Sequence, residues 1–319
     1  MGEPVYTKRP AEAAHDRVTK PIVFLVNPAS ANGSTGRRWP EIARRAASAG
    51  LTGDALFSRA PGELTELARR AADGGAGLLI VVGGDGSVNE VVNGIAGRAG
   101  VEVAVIARGT GWDFARSLGL PRRVDQAAGV ALQGRTRTID LGRATYRQWA
   151  GGEAQSWFAN VASVGMSGAI AKRANDTTKA LGGKISYVWA TFAVFARWNN
   201  TEVEVAVDGE SRRARMHDVV VANGPYFGGG MKICPDAQSD DGAFDVLLIG
   251  DLTKRDLLMT LPKTFRGTHL PHPKAELLRG TRVIIDAPEP LPIQLDGEQP
   301  GTTPARFELV AQALRVRVP

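Results

Sequence analysis

Residues Leu78 to Gly94 read LLIVVGGDGSVNEVVNG. The apolar, β-branched run that opens this segment is stopped by glycines, which reads as a buried parallel strand. In the stretch that follows, Val88, Val91, Val92 and Ile95 fall on one helical face. Strand, glycine turn and helix in that order are the building unit of an α/β sheet, and this constrains the fold more than any other segment. Between strand and helix lies Gly83-Gly84-Asp85-Gly86-Ser87. A glycine turn feeding a helix N-terminus leaves backbone N–H groups free to point at an anion, usually a phosphate. The four residues GGDG are equally well an ordinary turn with Ser87 capping the helix. The longer string is harder to reduce to a turn. Asn89 and Asn93 sit one helical turn apart on a separate face, with Glu90 beside them, and this polar edge is aimed at something other than core.

The same alternation runs from Pro21 to about Leu141. The spacing predicts a first strand in PIVFLVNP, a helix over Trp39–Ala49, a strand over Leu51–Phe57 and a helix over Glu63–Ala72. Then come the strand at 78–82, the helix at 87–96, a strand over Val101–Ile106, and helices near Asp113–Leu118 and Val124–Leu132. Such alternation predicts a mostly parallel sheet covered by helices. Ligands of such sheets sit at the carboxyl ends of the strands. Asn27, the glycine cluster and Gly109-Thr110-Gly111 each follow a strand end, so they can converge.

After Thr138 the period changes. TEVEVAVDGE, MHDVVVANG, GAFDVLLIG, RVIIDAP, LPIQLDGE and ALRVRV are short strands between turn residues, which predicts an antiparallel sandwich or barrel. Helical signals interrupt it near Gly168–Asn175, Lys184–Trp198 and Lys254–Phe265. The expected division is an α/β domain over 20–142, completed by about 305–319, and a β-rich domain over 143–304.

Composition narrows the partners. The chain of 319 residues carries a net charge of +6 with a pI near 9.7. That suits a nucleotide or an anionic lipid surface, or is a solvated face and nothing more. No basic run is interleaved with aromatics, so no nucleic-acid partner is expected. Cys234 is the only cysteine, which excludes an intrachain disulfide and fits a reducing cytoplasm. Met1 to Lys20 lacks an apolar signal core. The apolar stretch Ile185–Trp198 falls short of the roughly 20 residues that span a bilayer. A cytoplasmic protein, peripheral at the membrane and without an integral segment, is the expectation. That stretch suits a lipid-contacting site or a helix packed on its own domain.

At this point the motifs carry a resemblance. Asn27-Pro28 with Ser30, GGDGSVNEVVNG at 83–94, GTGWDFARSLGL at 109–120, Asp140-Leu141-Gly142 and Phe158-Ala159-Asn160 with Gly165 come in one order. Asn223-Gly224, Gly228-Gly229-Gly230, PDAQSDDGAFDV at 235–246 and Asp296-Gly297-Glu298 follow. The chain resembles the diacylglycerol kinase catalytic family, in particular the bacterial soluble lipid kinases related to sphingosine kinases. The resemblance implies an α/β nucleotide-binding domain like that of NAD kinases, then a β-sandwich domain whose final strand, near Ala313–Val318, returns to the first.

It also implies ATP and Mg²⁺ as cofactors and transfer of a phosphoryl group to a lipid hydroxyl, diacylglycerol first, at a membrane surface. A homodimer is a candidate assembly. Other acceptors (a sphingoid base or NAD) and a lipid- or nucleotide-binding regulator without catalysis are the alternatives. No Walker A string occurs, so phosphate would rest on backbone amides of Gly84 to Ser87. Asn27, Ser58, Gly83, Asn89, Thr110 and Asp113 would surround the nucleotide, and Asp85 would hold the ATP-bound Mg²⁺. For Ser58, a helix cap after a strand is an equal reading. The family usually has Asn or a small residue where Trp112 stands. Glu298 would accept the proton, with Asp296 assisting. Asp-Gly is also a hairpin turn signal, and a second DGE stands at Asp208-Gly209-Glu210. A structural Mg²⁺ would take the Asp241 side chain and the carbonyls of Gln238 and Ala243, linked to the nucleotide through Asp140 and Thr110. A solvated acidic turn explains that segment equally. His269 and His272 are spaced H-x-x-H, but Pro271 and Pro273 bar a regular helical zinc face, so they read as loop residues.

Overall fold

The structure, a computed structural model, describes residues 21–109, 111–181, 194 and 197–319, without the side chains of 174–181. Strands β1 (Ile22–Val26), β2 (Asp54–Phe57), β3 (Leu78–Gly83) and β4 (Glu102–Ala107) lie in the order β2-β1-β3-β4, all parallel. Helices α1 (Ser34–Arg37), α2 (Trp39–Ser48), α3 (Glu63–Asp73), α4 (Asp85–Ile95), α5 (Asp113–Ser117) and α6 (Val124–Gln133) alternate with them. Every residue of β3 is buried. Leu79 and Val81 face one core with Val88, Val91, Val92 and Ile95 of α4. Leu78, Ile80 and Val82 face another with Ile42 of α2 and Ala127, Ala128 and Ala131 of α6. Burial on both faces is why this run is continuously apolar rather than alternating.

The second half comprises β5 (Arg135–Gln148), β6 (Glu153–Phe158), β7 (Val161–Gly165), α7 (Met166–Leu181), β8 (Thr201–Val207), β9 (Glu210–Met216), β10 (Asp218–Ala222), β11 (Tyr226–Phe227) and β12 (Met231–Lys232). Then follow β13 (Phe244–Ile249), α8 (Lys254–Thr264), β14 (Ala275–Gly280), β15 (Arg282–Asp286), β16 (Ile293–Leu295) and β17 (Gly301–Val318). One antiparallel sheet runs β14-β13-β10-β7-β16. It covers strands of a second sheet across a core of Phe158, Phe244, Phe307 and aliphatic side chains. The Phe158 ring stacks on Phe244 at 5.6 Å and meets Phe307 edge-on at 6.0 Å. Gly142 lies opposite Phe158, and a Cβ there would collide with the ring.

That second sheet is also the parallel sheet of the first half. β17 joins them: one edge pairs in parallel with β4 at Arg315 and Val316, and antiparallel with β15 from Ala305 to Glu308. Its other edge pairs with β5 along nearly its whole length, with register shifts at 302–305 and 310–314. Divisions at 142/143 and 304/305 fall inside β5 and β17, so the two halves share these strands.

Strands β5, β6, β7, β9, β11, β12 and β14 have no counterpart in the pattern read above. EAQSWF and VASVG offer too few large apolar residues to show a period. The signal at Gly168–Asn175 belongs to α7, and that at Lys254–Phe265 to α8. The one at Lys184–Trp198 falls almost wholly outside the described residues.

Candidate functional site

The glycine turn ends β3 and starts α4. Gly84 is the N-cap, extended at φ −95° and ψ −168°, with no side chain capping the helix. The first N–H groups of α4 therefore lack intrahelical acceptors and carry the positive end of the helix dipole. Ser87 is not the cap, contrary to one reading of the turn. Its Oγ accepts from Asn27 Nδ2 at 3.0 Å, and Asn27 Oδ1 accepts from the Ala29 N–H at 3.0 Å. Ser87 Oγ also fills the space a Cβ on Gly83 would need. The end of β1 is thus tied to the first turn of α4.

Two carboxylates flank that turn. Asp85 Oδ1 accepts from the Phe114 N–H at 3.0 Å, and Asp113 Oδ2 accepts from the Gly229 N–H at 2.6 Å. Gly111 lies between them: a Cβ there would stand 2.9 Å from Asp85 Oδ2 and 3.6 Å from Asp113 Oδ2. Burial pushes the Asp85 carboxyl up. Burial, then the charge of Asp85, raises that of Asp113 to about 7. Two desolvated acids with oxygen donors on one side of an anion site fit a divalent cation that takes its remaining ligands from phosphate and water. Thr110 lies outside the described residues.

Asp296 and Glu298 occupy a two-residue hairpin turn. Leu295 and Glu298 exchange both backbone hydrogen bonds, and Asp296 and Gly297 have φ of 50° and 93°. Asp208 and Gly209 form the same kind of turn between β8 and β9, with φ of 46° and 97°. The hairpin reading and the functional reading therefore hold together at 296–298. The Asp296 carboxylate points inward. It accepts from the N–H groups of Ala159 (2.7 Å), Asn160 (2.9 Å) and Val161 (3.0 Å), and from Asn89 Nδ2 (3.2 Å). Four donors thus fill the Asp296 carboxylate, which braces the turn against residues 159–161 and α4. Glu298 is exposed, and its Oε1 would lie 2.7 Å from a Cβ on Gly86. Surrounding protein, then Glu90 and Asp296, push its carboxyl above the ordinary range, an effect tempered by its access to water.

The polar edge of α4 serves the join between the halves. Asn89 Nδ2 also donates to the Trp157 carbonyl at 3.0 Å, and Asn93 exchanges hydrogen bonds with the Trp157 backbone at 3.0 and 2.8 Å. Asn89, expected at the nucleotide, has its amide turned to β6 and Asp296 instead. Glu90 accepts from the Leu64 N–H at 2.9 Å, at the start of α3. Ser58 is buried at the end of β2, where its N–H meets the Val26 carbonyl at 3.0 Å. The N-cap of α3 is Gly62, so Ser58 does not cap that helix. Trp112 adopts a left-handed φ of 44°, with the Arg116 and Arg122 guanidiniums 5.0 and 4.6 Å from its ring centre. Arg116, Gly229 and Asn93 also line this region; GTGWDFARSLGL and the triple glycine hold the first two, and only the fold shows what they face.

The acidic turn stands apart. Asp140 accepts from the Gly242 N–H at 2.9 Å and the Gln312 N–H at 2.8 Å, and its own N–H meets the Ser239 carbonyl at 2.6 Å. This ties the 239–242 turn to β5 and β17. Asp240 pairs with Arg137, and Asp241 Oδ2 with Arg279, while Asp241 Oδ1 accepts from the Ala243 N–H at 3.3 Å. A guanidinium already neutralises the one side chain expected to hold a structural Mg²⁺ with the Gln238 and Ala243 carbonyls. An ion there would have to displace Arg279, whose side chain is half exposed.

A parallel sheet whose α4 start meets two desolvated carboxylates and a glutamate from the opposite half is an α/β domain joined to a β-sandwich, with a cleft between them. The sequence profile of the diacylglycerol kinase catalytic domain matches residues 21–144, and that of the YegS C-terminal NAD kinase beta sandwich-like domain matches 160–318. The diacylglycerol kinase of Staphylococcus carnosus is 30% identical over 299 residues, covering 93% of this chain and 94% of that one. The Bacillus subtilis diacylglycerol kinase is 27% identical, covering 93% and 95%. In fold, the chain superposes on a diacylglycerol kinase crystal structure from Bacillus anthracis with a TM-score of 0.70 at 21% identity, covering 95% and 98%. The chain belongs to the diacylglycerol kinase family and is a kinase.

Proposed function

We propose that the chain transfers the γ-phosphoryl group of ATP to the hydroxyl of a diacylglycerol, giving phosphatidic acid. The observation that carries this reading is the approach of Glu298 to Gly86, which sets a carboxylate against the helix end where phosphates would rest. The N–H groups of Gly84 to Ser87 would hold the phosphates. Asn27 keeps Ser87 in place, and Ser58 lies at the neighbouring strand end on the nucleotide's side. A Mg²⁺ between Asp85 and Asp113 would offset the charge on the phosphate oxygens.

Glu298 takes the lipid hydroxyl proton. The new bond joins that oxygen to the γ-phosphorus as the bond to the bridging oxygen breaks, and ADP leaves with the electron pair. A carboxylate is a weak base toward an alcohol, so it acts late in transfer and by orienting the hydroxyl. Asp296 and Asn89 hold the Glu298 turn against α4, which preserves that orientation. Among the described residues no helix is long and apolar enough to cross a membrane. The proposed place of action is the cytoplasm, on a lipid at the membrane surface.

Incubation with γ-labelled ATP, Mg²⁺ and a panel of diacylglycerol, a sphingoid base and NAD tests the reading. Label in phosphatidic acid is the expected result. Label confined to another acceptor, or absent from all, contradicts it.

A further inference from the structure

Helix α8 is built inside out. Its start is well formed: Thr253 Oγ1 accepts from the Asp256 N–H at 3.1 Å, and Asp256 Oδ2 accepts from the Thr253 N–H at 3.0 Å. Its buried residues are Thr260 and Thr264. Its outward residues are large and apolar: Leu258 is 66% exposed, Met259 63%, Phe265 just beyond its end 52% and Leu261 40%. They are half of the eight large apolar side chains exposed among the described residues, so the cluster is a patch and not scatter. A helix serving only its own domain turns its apolar face inward. This one turns threonines inward and leucines, methionine and phenylalanine to water.

Charge says what meets it. At helical spacing Leu258, Leu261 and Phe265 share one stripe, and Lys254, Arg255, Lys263 and Arg266 are exposed around it. The one acid of the helix, Asp256, is held by the cap and by Lys274 Nζ at 2.9 Å. An apolar stripe rimmed by cations matches an anionic bilayer surface, where the side chains enter the acyl boundary and the cations meet headgroups. A second copy docking through the same face would set cations against cations.

The helix is also coupled to the cleft. Just past it, Gly267 turns at φ 69° so closely that a Cβ would stand 2.9 Å from Pro235 Cγ and 3.1 Å from Lys232 Cδ. His269 Nε2 is bonded to the Ile233 carbonyl at 3.0 Å. Lys232 ends the β11–β12 hairpin, and Gly229 in that hairpin's turn donates to Asp113.

We propose that α8, through Leu258, Met259, Leu261 and Phe265 with Lys254, Arg255, Lys263 and Arg266, docks the kinase on an anionic lipid bilayer. This deepens the lipid-kinase reading and rests on it for the consequence for turnover, though not for binding. The test compares the full chain with Leu258→Ser/Phe265→Ser on vesicles of phosphatidylglycerol and phosphatidylcholine, and of phosphatidylcholine alone. The expected result is about tenfold or greater loss of binding to the anionic vesicles, with an unchanged unfolding temperature. Turnover of vesicle-embedded diacylglycerol falls in parallel, while turnover of a short-chain, water-dispersed diacylglycerol is kept. A second measurement labels Leu258→Cys with a polarity-sensitive fluorophore, which the buried Cys234 leaves uncontested. Its emission shifts to the blue on anionic vesicles. Equal vesicle binding by variant and parent, or no emission shift, overturns the proposal. So does a parent dimer that the double substitution splits, since the face would then join two copies. If the parent phosphorylates no lipid yet the variant alone loses vesicle binding, the docking surface stands and the lipid-kinase reading fails.

Discussion

Glu298 and Gly86 meet across the join of the two halves: a methyl group on Gly86 would stand 2.7 Å from Glu298 Oε1. The contact sets the carboxylate of a β-sandwich hairpin at the first turn of α4. Gly86→Ala leaves that helix intact, since alanine is the better helix former by about 0.5–1 kcal/mol. It displaces the Glu298 carboxylate. The expected outcome is unchanged or slightly raised thermal stability with kcat lowered about tenfold or more. Unaltered kcat in the same preparation would separate Glu298 from the chemistry.

The two Asp-Gly turns differ in what their carboxylates hold. Asp296→Ala strands three backbone N–H groups, of Ala159, Asn160 and Val161, in the interior. Asp208 serves the N–H groups of Thr281 and Arg282, where water can replace it. The Asp296 substitution is expected to cost about 3 kcal/mol or more and the Asp208 one about 1 kcal/mol. Urea unfolding of both variants checks this, and equal losses would contradict it.

A buried pair makes opposing contributions to the pH response of stability. Burial raises the Asp218 carboxyl from 3.8 to about 7, although Ser167 donates to it from N–H and Oγ at 3.0 and 2.9 Å. The folded state keeps a proton the unfolded chain releases, so this contribution is lost as pH rises from about 4 to about 7. Burial lowers His217 from 6.5 to about 4, so its contribution is lost as pH falls across nearly the same window. The two slopes oppose each other. Asp218→Asn removes one acid slope while Asp113, raised in the same sense, keeps its own; relative to the parent, its unfolding temperature is therefore expected to gain several degrees between about pH 4.5 and 6.5. A difference between variant and parent that stays constant across that window would contradict the assignment.

The pairing of Asp241 with Arg279 bears on metal content. Without nucleotide, calorimetry with Mn²⁺ is expected to show no ion at the acidic turn of the parent chain. Arg279→Ala frees the carboxylate and gains a binding event that Asp241→Asn then abolishes. An ion bound by the parent and lost in Asp241→Asn would show that the guanidinium yields to metal.

What was legible in the chain follows from what is local. Leu78 to Ile95 announces its strand and helix because each residue's burial follows from its own period. Asp296 and Asp208 are indistinguishable as strings, and both form the same hairpin. Only the distant backbone of residues 159–161 makes one a brace of the site. Asn89 and Asn93 form the polar edge of α4, but their partner, the Trp157 backbone, is 68 and 64 residues away. β17 shows a strand signal only at its end, in ALRVRV, and β5 shows none; that both run through the two halves follows from their mutual pairing. Arg279 lies 38 residues from Asp241, and no motif joins them.

The most direct test of the account is single-turnover phosphoryl transfer by Glu298→Gln, measured beside ATP affinity. The account predicts a transfer rate lowered about 10²- to 10⁴-fold with nucleotide affinity and unfolding temperature unchanged. Transfer at the parent rate would contradict it.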